Sequence, residues 1–328
     1  VRLGGGGLSK AFRSTFERVL TEGNWDGAAM GAASRPGGEK PWAVLVTGLN
    51  GIRKTTSIYQ DWFGEVLGEA LIKPPANAAA AELEKEKGGK SEGEGEAAAA
   101  PSLPTGSNSF FRQLDHMIAT LANVDFRRLY ELTEEELASL SVGADDDAPA
   151  DVVKKYSDYK AAIFSRYRML SEMLGVLLVR EATKEGLNTM IETSGRDVAM
   201  FQYVDANFPS KRYNKLALRF VINDITHAER SVDSRMVGEV RDGIAALKSG
   251  TTRDVILANA GGPYGSEVLG GVQKDSDRVW AEDVMGGKVG DDWHKAVIEI
   301  EAHESEPWTA RAVRPDGTKG KRFEFVRW

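Results

Sequence analysis

Positions 48 to 56 read Gly-Leu-Asn-Gly-Ile-Arg-Lys-Thr-Thr, an order of residue types suited to holding a phosphate group. Gly48 and Gly51 let the backbone turn its N–H groups inward, and Lys54 adds a positive charge. The Thr55 hydroxyl can reach a divalent cation, and Asn50 and Thr56 belong to the same turn. Arg53 stands where loops of this kind place a glycine before the lysine, and this leaves three outcomes open. Its side chain points outward and leaves the cradle intact, or it crowds a conformation that only glycine takes cheaply, or its guanidinium adds a phosphate contact. The plain alternative to all three is a glycine-rich strand-to-helix turn that holds no ligand.

Two further groups carry charge into loops. In Glu192-Thr-Ser-Gly-Arg196, Glu192 can orient a magnesium ion indirectly or hold a substrate hydroxyl, and Arg196 can bind an anionic substrate. The competing reading is a turn capped by Ser194 with Arg196 in a surface ion pair. Arg230, Arg235 and Arg241 lie on one expected helix, and positive charge over a migrating phosphoryl group is what phosphoryl transfer needs. Arg235 is the first choice and Arg230 the second, against solvated pairs with Asp233, Glu239 or Asp242. The run 259–265, Asn-Ala-Gly-Gly-Pro-Tyr-Gly, is either a loop lying along a nucleotide base or an irregular turn.

The elements needed to position these groups are legible as alternating patterns. A buried strand at 42–47 runs into Gly48, and a helix through Ile58, Trp62, Val66 and Leu67 follows the loop. Upstream, residues 8–20 form a short amphipathic helix and residues 27–41 a loop. Residues 73–106 are a low-complexity insertion, within which 78–87 form at most a transient helix. A polar break at 143–150 precedes a long helix that Asp151 can cap and Gly186 should stop. On it Ile163, Phe164, Tyr167, Leu170, Leu174, Leu177 and Leu178 share one face, with Lys160, Arg166, Glu172 and Glu181 elsewhere. A strand at 187–192, helix at 197–208, strand at 215–222, helix at 228–248, strand at 254–258 and helix at 266–285 continue the alternation.

Such alternation predicts an α/β fold with a doubly wound, mainly parallel sheet. The tail differs, because 295–302 alternates apolar and charged residues, and 308–313 and 322–328 flank the turn Arg314-Pro-Asp-Gly-Thr318. It predicts a small C-terminal antiparallel β appendix. The expected organisation is an N-terminal helix and loop (1–41), a main domain with its insertion (42–290), and the appendix (291–328).

Composition narrows the classes. With 42 Lys+Arg against 49 Asp+Glu the net charge is −7, and no basic–aromatic stripe stands out, so no nucleic-acid partner is expected. The absence of cysteine removes disulfides, thiolate metal sites and cysteine nucleophiles, and the four histidines show no metal-ligand spacing. No membrane span and no signal-peptide core is present, so a soluble, intracellular protein is expected, its compartment open. The chain begins at a valine, which leaves room for a targeting segment upstream.

Taken with its flanking strand and helix, Gly48-x-x-Gly51-x-x-Lys54-Thr55 resembles the Walker A loop G-x-x-x-x-G-K-[ST] with Arg53 as its departure. The chain resembles the P-loop kinase superfamily and is most similar to zeta-toxin-type small-molecule kinases. The long helix ending at Gly186 before Glu192-Thr-Ser194-Gly-Arg196, and a later strand followed by the arginine-bearing helix, add to the likeness. The resemblance implies a P-loop core, with Lys54 on the phosphates of ATP, Thr55 on Mg²⁺, Glu192 and Ser194 on substrate, and Arg230 or Arg235 as lid arginines. It also implies a catalytic aspartate after the second strand, for which Asp115 is the candidate, against an ordinary helix-surface acid. The expected activity is transfer of the γ-phosphoryl group to a hydroxyl of a small polar acceptor. The alternative is a non-catalytic nucleotide-binding or scaffold protein, and the appendix is a place for a protein partner.

Overall fold

The computed structural model describes residues 10–71, 102–141 and 150–326. The central strand is β1 (Trp42–Thr47), buried at all six positions. It runs parallel to β3 (Asn188–Glu192) on one side and β4 (Asn214–Ile222) on the other. β2 (Ser109–Arg112) lies outside β3, and β5 (Trp293–Glu301) outside β4, both parallel. β6 (Thr309–Val313) and β7 (Phe323–Glu324) then add antiparallel, giving the order β2-β3-β1-β4-β5-β6-β7. Residue pleating splits β1 between two layers, as a doubly covered strand requires. Trp42, Val44 and Val46 pack with Phe63, Val66 and Leu67, while Ala43 and Leu45 pack with Phe201, Val204 and Val279.

Eleven α-helices surround this sheet among the described residues. α1 (Lys10–Glu22) and α2 (Trp25–Ala33) pack on β2 and α7, burying Phe16, Val19 and Trp25 against Phe110, Leu174 and Leu178. α3 (Lys54–Ile58) and α4 (Phe63–Ala70) follow the loop after β1. α5 (Leu114–Leu121), α6 (Asn123–Ser141) and α7 (Ala150–Lys184) connect β2 to β3. α8 (Ala199–Asn207) leads to β4, followed by α9 (Ile225–Ser249), α10 (Thr252–Ala258) and α11 (Leu269–Val279). Helices α5, α6, α7, α9 and α10 share a core of their own around Phe126, Tyr130, Tyr156, Phe164, Met236 and Val240.

Several expectations are corrected. The predicted strand at 254–258 is helix α10: Thr251 accepts a hydrogen bond from the Asp254 amide, and Val255 and Ile256 bury into the helical core. A short apolar run has no period that separates strand from helix, so packing decides. The predicted loop at 27–41 contains most of α2. The single helix expected after the loop is two, α3 and α4, broken at residues 59–62. β2 was not anticipated, because four residues are too few to show alternation. The tail is not a separate appendix at its start, since β5 pairs with β4 in parallel from Lys215↔Trp293 to Ile222↔Ile300. Only β6 and β7 are antiparallel, joined through the turn where the Arg314 amide donates to Thr318 O at 2.8 Å.

On α7, Leu170 and Leu177 are exposed rather than part of the buried face, whereas Lys160 is fully buried. The helix ends as expected: the Leu187 amide bonds Ala182 O and the Gly186 amide bonds Thr183 O, a Schellman closure. The transient helix at 78–87 and most of the break at 143–150 lie outside the described residues, as does the Asp151 side chain. Among the described residues no helix is long and apolar enough to cross a membrane.

Candidate functional site

The loop from Gly48 to Arg53 has three residues with positive φ: Gly48 at 134°, Gly51 at 81° and Arg53 at 60°. Gly51 is obligatory twice over, because a Cβ there would also stand 2.7 Å from Ala228 O and 2.8 Å from Val232 Cγ2 on α9. The amides of Leu49, Asn50 and Gly51, and those of Lys54, Thr55 and Thr56 in the first turn of α3, donate no hydrogen bond among the described residues. They constitute an unsatisfied donor set at a strand-to-helix junction, which is what an anion cradle consists of.

Of the three outcomes open for Arg53, the structure takes the outward one. The backbone adopts the left-handed conformation at a cost of about 1 kcal/mol or more for a residue with a Cβ. The side chain is exposed and its guanidinium lies over Trp308, 4.3 Å from the ring centroid, and beside Phe325 at 5.4 Å. Cation–π contacts of this kind contribute about 0.5–1 kcal/mol each at exposed sites, so these two tail residues, flanking β6 and β7, offset the strain that the missing glycine imposes.

Lys54 points inward. Its side chain is 3% exposed, with Nζ donating to Leu49 O at 2.6 Å and lying 3.3 Å from Glu192 Oε1. Glu192 reaches this position because β3 is the parallel neighbour of β1, with Val46 in register with Glu192. Thr55 and Thr56 are partly exposed on the first turn of α3, and the Thr55 hydroxyl has no partner among the described residues.

Asp115 stands three residues after the end of β2, in the first turn of α5. Burial and the neighbouring Glu192 carboxylate push its pKa up to about 6, against the opposing pull of Lys160, Arg235 and Lys54. Its carboxylate faces Gly262, whose absent Cβ would stand 2.9 Å from Asp115 Oδ2 and 3.4 Å from Asn50 Nδ2. The Gly262 carbonyl in turn accepts from Arg235 Nη2 at 2.9 Å. Asn50 from the loop, Asp115 from beyond β2 and Arg235 from α9 therefore converge on one glycine.

Sequence reasoning did not identify what fixes this meeting point. Glu239 holds Arg235 Nε at 3.3 Å through Oε1 and the buried Lys160 Nζ at 2.6 Å through Oε2. Burial lowers the Lys160 pKa while Glu239 supports the ammonium. The 259–265 run is anchored to the helical core, where Tyr130 and Tyr156 hydroxyls both reach Asn259 Oδ1, and the Ser157 hydroxyl donates to Pro263 O at 2.7 Å. The one signal in the sequence was Lys160 lying four residues before Phe164 on α7, in line with the buried face.

The remaining predicted residues are placed as follows. Arg230 is exposed and pairs with Glu304 at 2.7 Å, beyond the end of β5, and Arg241 pairs with Asp242 on the surface. Ser194 is partly buried in the loop after β3, and Arg196 is exposed there without an ion pair among the described residues. Among the described residues no three His, Asp or Glu side chains gather as a metal cage. No protein-family model and no curated protein matches the chain.

Proposed function

We propose that the chain is a phosphotransferase that moves the γ-phosphoryl group of ATP to a hydroxyl of a small polar acceptor. The observation that carries this reading is the convergence of Asn50, Asp115 and Arg235 at Gly262, with the inward-pointing Lys54 near enough to act electrostatically on Asp115. In parallel α/β sheets ligands lie beyond the carboxyl ends of the strands, and the loop after β1, Asp115 after β2 and Glu192 at the end of β3 all lie there.

Each residue has a task suited to its surroundings. The free amides of the loop donate to phosphate oxygens, and the Lys54 ammonium exchanges Leu49 O for them. Thr55, with its unpartnered hydroxyl, is the side chain that would hold a magnesium ion, whose chemistry there is to neutralise charge between the outer phosphates. Glu192 keeps Lys54 oriented and, with Ser194 and Arg196, borders the acceptor side. Asp115, with a pKa near 6, is suited to accept the proton of an acceptor hydroxyl near neutral pH. Arg235, gripped by Glu239, presents its remaining donors to the charge that develops on the migrating group. Trp308 and Phe325, seated on Arg53, give the tail a role in holding the loop.

The test is binding of Mg²⁺-ATP followed by transfer to a panel of hydroxylated acceptors. Binding and transfer by the native chain, both lost in Lys54→Ala, support the reading; absence of nucleotide binding overturns it. Tight binding without transfer across the panel favours the non-catalytic alternative, for which the locked contact of Lys54 with Leu49 O and Glu192 is the supporting observation.

A further inference from the structure

A second set of polar groups lies beside the strand ends, on the face of β2 opposite α3 and α4. Arg112, the last residue of β2, is 2% exposed, yet among the described residues its side chain has one hydrogen-bond partner, the half-exposed Glu172 on α7, reached through Nη2. Among the described residues its Nε is buried without a partner, and so are Ser171 Oγ on α7 and the Tyr203 hydroxyl on α8. The guanidinium lies 5.7 Å from the Tyr203 ring centroid, and both Arg112 and Glu172 act electrostatically on that phenol. A buried guanidinium whose Nε–H meets no acceptor is costly unless something accepts from it.

The helix beside it is shaped to leave that space. Gly175 lies in the interior of α7, where glycine is less favourable than alanine by roughly 0.5–1 kcal/mol. A Cβ at that position would collide with Arg112 Nε and crowd Nη2. Ser171 lies one turn before Gly175 on the same helix, so the unpartnered hydroxyl and the guanidinium share one side of α7. The missing Cβ lets the guanidinium lie close against α7, within reach of Glu172 and beside the Tyr203 ring of α8.

We infer that Arg112 anchors an oxyanion of the acceptor, a carboxylate or a phosphate, and that Glu172 occupies this anchor until the acceptor displaces it. The acceptor part of this inference rests on the phosphotransferase reading; the anion site does not. Arg112 and Asp115 are three residues apart, so their Cα atoms are separated by at most about 11 Å. The acceptor class inferred is a hydroxylated acid or phosphate ester, long enough to bring its anion to Arg112 and its hydroxyl to Asp115. Glu172 is suited to yield, being half-exposed with a flexible side chain, whereas Arg112 is fixed.

The experiment titrates inorganic phosphate, and separately acetate, into the full chain by calorimetry. All variants carry Lys54→Ala, so that the loop contributes a constant background. Glu172→Gln should bind at least one of the two anions about fivefold more tightly than its parent, the scale of one half-exposed ion pair. Adding Arg112→Lys should remove the gain, and Tyr203→Phe, which is conservative enough to fold if Arg112→Lys is not, should reduce it. The anion with the larger gain identifies the source, and equal gains support an oxyanion of either kind. No gain with either anion, or a gain that survives both second substitutions, overturns the inference. If the native chain fails to bind Mg²⁺-ATP, the phosphotransferase reading falls and the anion titration is still read.

Discussion

Replacing Asp115 by asparagine should abolish phosphoryl transfer while making the protein more stable. The carboxyl's ordinary value is 3.8 and the fold raises it to about 6. Between those two values the folded state holds a proton that the unfolded chain has released, so stability falls as pH rises through the window. Above about pH 6 the deficit is complete; below about pH 4 both states are protonated and it vanishes. A difference of that size corresponds to about 3 kcal/mol, and partial solvent access brings the expected effect to between about 1 and 3 kcal/mol. Asparagine has nearly the same shape and does not ionise. Urea unfolding of the native chain and Asp115→Asn at pH 4.5 and pH 8 measures the effect, with the variant gaining at pH 8 and the two curves converging in acid. If the native protein were equally or more stable at pH 8, Asp115 would be a satisfied surface carboxylate and no candidate for the base.

Other outcomes follow from the same geometry. Arg53→Gly removes the left-handed strain together with the contact to Trp308 and Phe325, so unfolding free energy should change by less than about 1 kcal/mol and nucleotide affinity should persist; loss of nucleotide binding in a calorimetric titration would show that the arginine touches the phosphates. Glu239→Gln leaves Lys160 buried without its counter-charge and should destabilise by about 3–5 kcal/mol. The pair Lys160→Met with Glu239→Leu should recover most of that stability in denaturant titrations, yet leave transfer impaired because Arg235 has lost its anchor. Gly175→Ala should cost about 1–3 kcal/mol through its collision with Arg112, far from the small gain expected for alanine in an open helix.

The local sequence determined much of what it could. Strand β1, its run into Gly48, strands β3 and β4, and helices α1, α7, α8 and α9 are legible because hydrophobic period, capping residues and turn glycines are properties of neighbouring residues. Lys54 with its loop was legible for the same reason: the chemistry needs adjacent backbone groups, so its signature is contiguous. The strand at 254–258 and the parallel placement of β5 were misread, because a short apolar or alternating run acquires its state from what it packs against. Only tertiary structure could bring Asn50, Asp115 and Arg235 to Gly262, or seat Arg53 on Trp308 and Phe325, more than 250 residues further along. Lys160, expected off the apolar face of its helix, is buried, since its counter-charge Glu239 comes from another helix, 79 residues away. Pairings over such separations leave no mark in a local pattern. They are decided by how the layers close over the sheet, where desolvation makes each buried charge select its partner.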